Sequence, residues 1–292
     1  MNEFLRTDTA MSALSSMRTG GIAPVAYFPE TEQSLCDTVR RLTEEHKRFF
    51  VFGNLSNVLL PDGTLDFVPV ITTGIKTVTV TDTDDGIKVY AACGVSLTGL
   101  ALEFCRRDYA GLSFAYGIPG TVGGAVFMNA GAYGSEMKNI VRSVRFYDID
   151  ADAVCEIPAS DCGFGYRTSV FAHKNGVILG AFLSLAACES GKALAEAKEF
   201  MERRREKQPL EYPSCGSAFK RPEGYFAGEL IEKCGLKGYA VGGACVSEKH
   251  AGFVVNKGGA TSADVEKLLC DVRAKVHQTF GVELEPEIRF IK

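Results

Sequence analysis

The feature that most limits how this chain can fold is a glycine-rich segment near its middle. The sequence from Gly117 to Gly124 reads GIPGTVGG and is followed by AVFMNAGAYG. Glycine has no Cβ, so closely spaced glycines let the backbone turn sharply and let several N–H groups point at one spot. The pattern matches neither GxGxxG nor GxxxxGK[ST]. It indicates a diphosphate cradle or a tight turn in a sheet, and composition alone leaves these two possibilities about even.

Composition places the chain among soluble globular proteins. It has 292 residues, 46% of them hydrophobic and 23% charged, which predicts two domains or one domain with subdomains. A formal net charge of −4 argues against nucleic-acid binding through bulk charge. No run reaches the roughly 18 apolar residues of a membrane span, and the N-terminus lacks the apolar stretch of a secretory signal. We therefore expect no membrane insertion.

Cysteine and histidine usage adds to this picture. The 10 cysteines are scattered without a CxxC pair, which is typical of reduced thiols in a cytoplasmic protein. The 4 histidines lie far apart and show no metal-ligand spacing, so no metal site is predicted. Nothing in the sequence demands more than a monomer.

Hydrophobic periodicity predicts interleaved helices and strands. Helices are expected at 31–46, 96–107 and 194–207, with a fourth that begins at Thr261 or Ser262 and ends at Gly281. The expected strands lie at 48–52, 58–60, 68–72, 141–147, 177–185 and 287–291, with a hairpin around Asp85-Gly86. Because strands and helices do not alternate regularly, the pattern favours an α+β fold over a doubly wound sheet.

Two further segments carry small and polar residues. The sequence GNLSN at 53–57 follows a predicted buried strand and could supply donors to an anion, although Asn and Ser also form ordinary turns. Ser217 to Lys220 matches S-x-x-K, but the chain has neither SDN nor KTG, so an acyl-enzyme nucleophile is rejected. Ser217 is then either an exposed proton donor or a turn serine.

Two charged residues are weaker candidates when taken singly. Arg167 follows Tyr166 and could hold a carboxylate with a planar pair of donors, or be an ordinary surface arginine. Glu287 opens the last predicted strand, where it could face a pocket or be solvated.

Taken together and in this order, these segments resemble the UDP-N-acetylenolpyruvoylglucosamine reductase family over nearly the whole chain. The matching motifs are MRTGG, GNLSN, GLSFAYGIPGTVGGAVFMNAGAYG, YRTSVF, SCGSAFKRP, AGELIEKCGLKG, VSEKHA, FVVN and LEPEIRFI. The resemblance implies a vanillyl-alcohol-oxidase-type FAD-binding unit of two subdomains, followed by a C-terminal α+β substrate-binding domain. The expected boundaries are an N-terminal segment at 1–21, an FAD-binding domain at 22–187 split near 85, and a C-terminal domain at 188–292.

The resemblance also implies an activity. NADPH would reduce FAD and leave, and UDP-N-acetylglucosamine enolpyruvate would then enter the same cleft and receive hydride at C3. Negative charge would spread from C2 into the carboxylate as an enolate, and protonation would give UDP-N-acetylmuramate for peptidoglycan synthesis.

Residue roles follow from the matched motifs. Arg167 and Glu287 would stabilise the enolate, and Glu287 would have to be protonated or act through water to do so. Ser217 would give a proton to C2. The residues expected to hold FAD are Gly53, Asn54, Ser56, Asn57, Gly117, Pro119, Gly120, Gly123, Gly124 and Asn129. Candidate substrate contacts are Tyr166, Arg221 and Lys237. A side chain introduced at Gly123 is expected to enter the space of the diphosphate.

The chain departs from the family pattern in three places. Leu55 replaces the second glycine of G-x-G-S-N, so its side chain must point away from the cofactor or narrow the site. The interval between Arg167 and Ser217 is short, as in the branch that lacks a tyrosine-bearing loop, and Arg221 stands where the other branch has asparagine. Two other functions stay open: an alcohol oxidase with the same cofactor fold, and a non-catalytic nucleotide-sugar binder.

Overall fold

The computed structural model describes residues 4–292, and these residues form helices and strands without regular alternation. The α-helices are α1 Glu32–Glu44, α2 Leu97–Arg106, α3 Val122–Phe127, α4 Lys192–Lys207, α5 Ala227–Lys233 and α6 Ser262–Phe280. The first nine strands are β1 Leu5–Ala10, β2 Ile22–Tyr27, β3 Phe49–Phe52, β4 Val58–Leu59, β5 Val68–Ile71, β6 Val78–Thr83, β7 Gly86–Ala92, β8 Tyr109–Ala110 and β9 Gly131–Ala132. The others are β10 Ser135–Glu136, β11 Val141–Asp148, β12 Ala153–Pro158, β13 Gly176–Ala187, β14 Ser214–Ser217, β15 Ala240–Val241, β16 Ala244–Val246, β17 Phe253–Asn256 and β18 Arg289–Phe290.

The chain divides into two compact units that are each discontinuous in sequence. Unit 1 contains the described residues up to 6 together with 25–54 and 67–203. Unit 2 contains 7–24, 55–66 and 204–292. The GNLSN segment is therefore divided between the units after Asn54.

Unit 1 combines a parallel and an antiparallel sheet. Strands β2, β5 and β3 run parallel, and α1 begins at a reciprocal capping box between Thr31 and Ser34. The second sheet has the antiparallel order β12-β11-β13-β7-β6, with β8 paired to β13. The faces of α1 and α2 that carry Leu35, Val39 and Phe104 are buried in one hydrophobic core with this sheet.

Unit 2 is a smaller α+β arrangement. Its antiparallel sheet has the order β14-β17-β16-β15, and β18 pairs with β4 in parallel. Helix α6 starts at the Thr261 cap and stops at Gly281, whose φ of 68° lies in the left-handed region that glycine tolerates. The carboxylate of Asp62 accepts bonds from the first N–H groups of α6. Leu268 and Val272 lie in the core with Leu230 of α5.

The predicted long elements are confirmed to within a few residues, and the α+β class is confirmed with them. The capped helices α1 and α6 and the hairpin β6–β7 carry strong local signals, which explains the agreement. The strands β1, β2, β8 to β10, β12 and β14 to β17 and the short helices α3 and α5 were not predicted. Apart from the six-residue strands β1, β2 and β12, these elements are too short to show a period. Within residues 4–292, no helix combines the length and apolar character needed to cross a bilayer.

Candidate active site

The glycine-rich segment forms a turn that leads into a short helix of unit 1. Gly117 has a φ of 91°, and the N–H groups of Ile118 and Gly120 are used inside the turn itself. Thr121 caps α3, and its side chain accepts a bond from the N–H of Gly124. The predicted sharp backbone turn is therefore present at the start of α3.

The two glycines that begin α3 face different surroundings. A Cβ at Gly123 would lie 2.8 Å from Cys93 Cβ, and the Gly123 N–H donates to the Cys93 carbonyl at 2.9 Å. Gly124 is exposed, and a Cβ there would meet only Thr121 Oγ1 at 3.7 Å. The expectation that a side chain at Gly123 enters the space of the diphosphate is wrong, because that side chain would point at Cys93 in the protein interior. Gly124 is the position that leaves open space beside the helix start.

The end of β3 packs directly on this helix start. A Cβ at Gly53 would lie 2.1 Å from Thr121 Oγ1, so only glycine fits there. The Asn54 side-chain amide donates to the Pro119 carbonyl at 2.7 Å. Within unit 1 the structure thus brings together Gly53, Asn54 and the segment from Pro119 to Gly124. The open space beside the helix start at Gly124 fits a bound diphosphate.

Leu55, at the beginning of the unit 2 part of GNLSN, adopts the backbone conformation that glycine usually supplies. Its φ is 47°, and its side chain is only 4% exposed. The side chain is therefore buried in protein and does not narrow the space beside the GNLSN backbone. Two residues further, the Asn57 side chain donates to the Glu287 carbonyl at 3.1 Å. Ser56 lies between them and is partly buried.

Asn129 is fully buried and bonded only to protein groups. Its Nδ2 donates to Glu136 and to the Gly165 carbonyl, each at 2.9 Å, and its Oδ1 accepts from the Lys138 N–H at 2.9 Å. With an exposed fraction of 0%, the side chain has no face open to a ligand. It joins the segment after α3 to the turn that carries Arg167.

Arg167 lies in that turn, between the mutually bonded residues Gly165 and Thr168. Its φ of 56° is left-handed, a strained conformation for a residue with a side chain. Its Nη2 donates to the Gly131 carbonyl at 3.0 Å, and its guanidinium lies 5.1 Å from the Tyr166 ring centroid. Tyr166 itself is 51% exposed.

In unit 2, Ser217 and Glu287 lie on neighbouring extended segments. Gly216, with a φ of 77°, lies at a bulge in β14 that leaves Ser217 exposed at the strand end. The Glu287 N–H donates to the Ala218 carbonyl at 2.9 Å, and the Lys220 N–H donates to the Glu285 carbonyl at 2.8 Å. These two bonds place side by side the segments that carry two of the three predicted catalytic residues.

The remaining predicted substrate contacts of unit 2 have protein partners of their own. The Arg221 guanidinium lies 4.0 Å from the Phe226 ring centroid, which is stacking distance. Lys237 forms an ion pair with Glu232 at 2.6 Å. Both side chains are thereby oriented.

Two buried cysteines near these residues, Cys93 and Cys215, are protonated thiols rather than nucleophilic thiolates. Burial raises the pKa of Cys93, which lies under α3, and that of Cys215, which precedes Ser217 by two residues, each to about 12. All ten cysteines are free. Thiolate chemistry therefore plays no part at either position near neutral pH.

Two residues that hold the site, Thr121 and Ser169, were not predicted from the sequence. A threonine directly before a run of small and apolar residues is a typical helix N-cap, and the Thr121 side chain accepts a bond from the N–H of Gly124, three positions later. Ser169 donates to the Phe127 carbonyl at 2.6 Å, and no local sequence pattern predicts that contact.

Comparisons with known proteins first define the class. Residues 23–154 match the family model described as FAD binding domain. A mutant of cholesterol oxidase from Brevibacterium sterolicum shares the fold over 64% of this chain and 38% of that chain, with a TM-score of 0.50 and 12% identity. The fold is that of a vanillyl-alcohol-oxidase-type flavoprotein with an added C-terminal α+β domain.

The second domain and the relatives define the family. Residues 208–291 match the model of the UDP-N-acetylenolpyruvoylglucosamine reductase C-terminal domain. The reductase of that name from Caldicellulosiruptor bescii is 43% identical over 99% of this chain and 91% of its own length. That from Clostridium beijerinckii is 42% identical over 98% and 92%. The solved reductase of Thermus caldophilus has 30% identity and a TM-score of 0.81, covering 99% of this chain and 100% of that chain. The chain belongs to the UDP-N-acetylenolpyruvoylglucosamine reductase family.

Proposed function

We propose that this protein uses FAD and NADPH to reduce UDP-N-acetylglucosamine enolpyruvate to UDP-N-acetylmuramate, a precursor of bacterial peptidoglycan. Family membership over nearly the full chain supports the reaction. The observation that supports the residue assignment is the bond from Glu287 N–H to the Ala218 carbonyl, which places the Glu287 backbone opposite the residue that follows Ser217.

The proposed cofactor-binding residues lie in the glycine-rich segment before and at the start of α3 and in the GNLSN segment. FAD, when bound, supplies hydride transfer. Backbone groups of Gly53, Gly117, Pro119, Gly120 and Gly124, with the polar residues Asn54, Ser56 and Asn57, would hold it. Gly123, whose N–H is bonded to the Cys93 carbonyl, would instead pack on the interior side of the helix start. Asn129 has a different role, because its completely buried amide is committed to protein partners. We assign it to positioning the Arg167 turn.

Ser217 is proposed as the proton donor to C2 of the substrate. Its hydroxyl is exposed at the end of a strand whose backbone is bonded on both sides, so the oxygen is held while remaining accessible. An alcohol is a weak acid, but a carbanion beside a carboxylate is a stronger base than an alkoxide, so the transfer runs downhill. Glu287, on the extended segment bonded to Ala218, would assist the anionic intermediate in its protonated form or through water.

Arg167 is proposed to bind the substrate carboxylate and to stabilise the enolate that forms from it. A guanidinium has five N–H donors in a planar fork, which suits a carboxylate, and the bond to the Gly131 carbonyl helps to hold this fork in place. Its left-handed backbone is consistent with a residue held in place for function rather than for stability. Tyr166, exposed beside it, would contact the same end of the substrate.

Arg221 and Lys237 are proposed contacts to the nucleotide diphosphate. Stacking on Phe226 orients the Arg221 guanidinium, whose planar fork suits two parallel bonds to a phosphate. Lys237 would act together with its partner Glu232. We further propose that the enzyme is a cytoplasmic monomer, with the FAD-binding domain at 22–187 and the substrate-binding domain at 188–292.

The test is a turnover assay with a mass measurement of the product. The purified protein with FAD, NADPH and the enolpyruvyl nucleotide should oxidise one NADPH for each nucleotide that gains two hydrogen atoms. Loss of NADPH without nucleotide reduction contradicts the proposal. Oxygen-dependent oxidation of an alcohol in place of this reaction would identify an oxidase, and tight nucleotide binding without flavin would identify a binding protein.

A further inference from the structure

The segment from Ser247 to Gly252, which joins β16 to β17, lies directly against the end of β14. Ser217 pairs with Phe253 in the sheet, and the Ala218 N–H donates to the Gly252 carbonyl at 2.8 Å. The position of the Ser217 backbone therefore depends on where the Gly252–Phe253 peptide lies.

His250 bonds to both residues of that peptide. The Gly252 N–H donates to His250 Nδ1 at 3.0 Å, and the Phe253 N–H donates to the His250 carbonyl at 2.9 Å. The imidazole also packs edge-on against the Phe253 ring, with centroids 5.0 Å apart. The histidine is thus tied by its side chain and its backbone to the two residues that pair with Ser217 and Ala218.

The surroundings fix the ring in one position and one protonation state. A Cβ at Gly252 or at Gly228 would lie 2.9 Å or 3.2 Å from His250 Cε1, so the ring occupies a space that only glycines leave open. Nδ1 can accept the Gly252 bond only when it carries no proton. Burial lowers the pKa of His250, which keeps the ring neutral.

We propose that His250 is a positioning residue for Ser217, whose Nδ1 fixes the Gly252–Phe253 peptide against which the serine strand end pairs. The inference rests on the proposed proton-donor role of Ser217. Only the step that uses this proton, the reaction of the reduced enzyme with the enolpyruvyl nucleotide, should depend on His250. Reduction by NADPH should not depend on it.

Three substitutions of His250 distinguish the effect of losing the Gly252 N–H···Nδ1 bond from the effect of losing the imidazole ring. In His250→Asn, the side-chain oxygen can take the place of Nδ1 as acceptor. In His250→Gln, the oxygen lies one atom further out, nearer the place of Nε2, and His250→Ala offers no acceptor. His46→Asn makes the same chemical change at an exposed position of unit 1 and serves as the matched control.

Rapid-mixing spectroscopy of the FAD-loaded variants measures the two half-reactions separately. We expect His250→Ala and His250→Gln to slow the nucleotide half-reaction by about 10- to 100-fold, the usual result of an ångström-scale displacement of a reacting group. His250→Asn should stay within about threefold of the unmodified enzyme, like the His46→Asn control. All four should retain the normal rate of reduction by NADPH.

A double substitution tests whether His250 acts through Ser217. If it does, adding His250→Ala to Ser217→Ala causes no further loss, whereas independent effects would multiply. Equal behaviour of Asn and Gln at 250, equal losses in both half-reactions, or multiplying losses would each overturn the inference. If the alanine variant does not fold, the Asn and Gln pair decides alone. Normal turnover by Ser217→Ala would instead refute the proton-donor role itself, which keeps the two failures distinct.

Discussion

The turn that carries Arg167 and the strand end that carries Ser217 are held by different kinds of bond. In unit 1, backbone bonds between Gly165 and Thr168 close the Arg167 turn, but side chains attach it to its surroundings, because Asn129 bonds to the Gly165 carbonyl and Ser169 to the Phe127 carbonyl. In unit 2, the Ser217 strand end is fixed by backbone bonds to Gly252 and from Glu287. The comparison teaches that removing a bonded side chain within the first region should disturb its structure, whereas removing the Ser217 hydroxyl should affect the chemistry and leave the strand end in place.

The largest effect is expected for Ser217→Ala. Removing a positioned proton donor should slow the nucleotide half-reaction by ~10²–10⁴, while NADPH still reduces the flavin. Because backbone bonds hold this strand end, the free energy of unfolding should stay within about 0.5 kcal/mol of the unmodified value. Single-turnover absorbance and urea unfolding measure the two quantities. A large loss of stability would remove the contrast between the regions.

Asn129→Ala tests the opposite behaviour in the Arg167 turn. The change leaves buried partners of the amide without a bond and replaces a residue type that tolerates a positive φ, so we expect a loss of about 3 kcal/mol in unfolding free energy. Asn54→Ala, at an exposed asparagine with a bond to Pro119, is the control and should cost about 1 kcal/mol or less. Urea unfolding in the absence of flavin separates these values. Equal losses would mean that the Asn129 bonds do not hold the turn.

Leu55→Gly combines two opposing terms. The substitution relieves about 1–2 kcal/mol of left-handed backbone strain but removes a buried side chain worth about 2–5 kcal/mol. We therefore expect a net destabilisation of about 1–3 kcal/mol, with flavin occupancy unchanged because the side chain is buried in protein. Loss of flavin at unchanged stability would show that Leu55 contacts the cofactor.

The smallest effects, of opposite sign, are expected for the two glycines of α3. Gly124→Ala should stabilise the flavin-free protein by about 1 kcal/mol through helix propensity but lower flavin occupancy, since its Cβ enters open space beside the helix start. Gly123→Ala should destabilise by about 1 kcal/mol, because overpacking against Cys93 outweighs the same gain. Thermal unfolding and the absorbance ratio of flavin to protein measure both. Identical behaviour of the two variants would contradict the assigned directions.

The sequence was sufficient where the determining interactions are local. The Thr261 cap, the Gly281 stop and the apolar stripe between them define α6 without any distant contact. The motif match likewise selected Ser217 and Glu287, which the fold then places on neighbouring segments.

The parts that sequence could not supply depend on distant partners. Asn129 was expected to contact FAD, but its partners Glu136, Lys138 and Gly165 are known only once the chain is folded. The direction of Gly123 is set by Cys93, which belongs to a different segment. The left-handed backbone of Arg167 has no sequence signal, because arginine rarely adopts it.

The most direct test of the account is the visible absorption of the purified protein through one anaerobic cycle. We predict the spectrum of oxidised FAD, its loss on addition of NADPH, and its full return when the enolpyruvyl nucleotide is added without oxygen. A protein that stays colourless after incubation with FAD, or a reduced flavin that only oxygen can reoxidise, would contradict the proposed function.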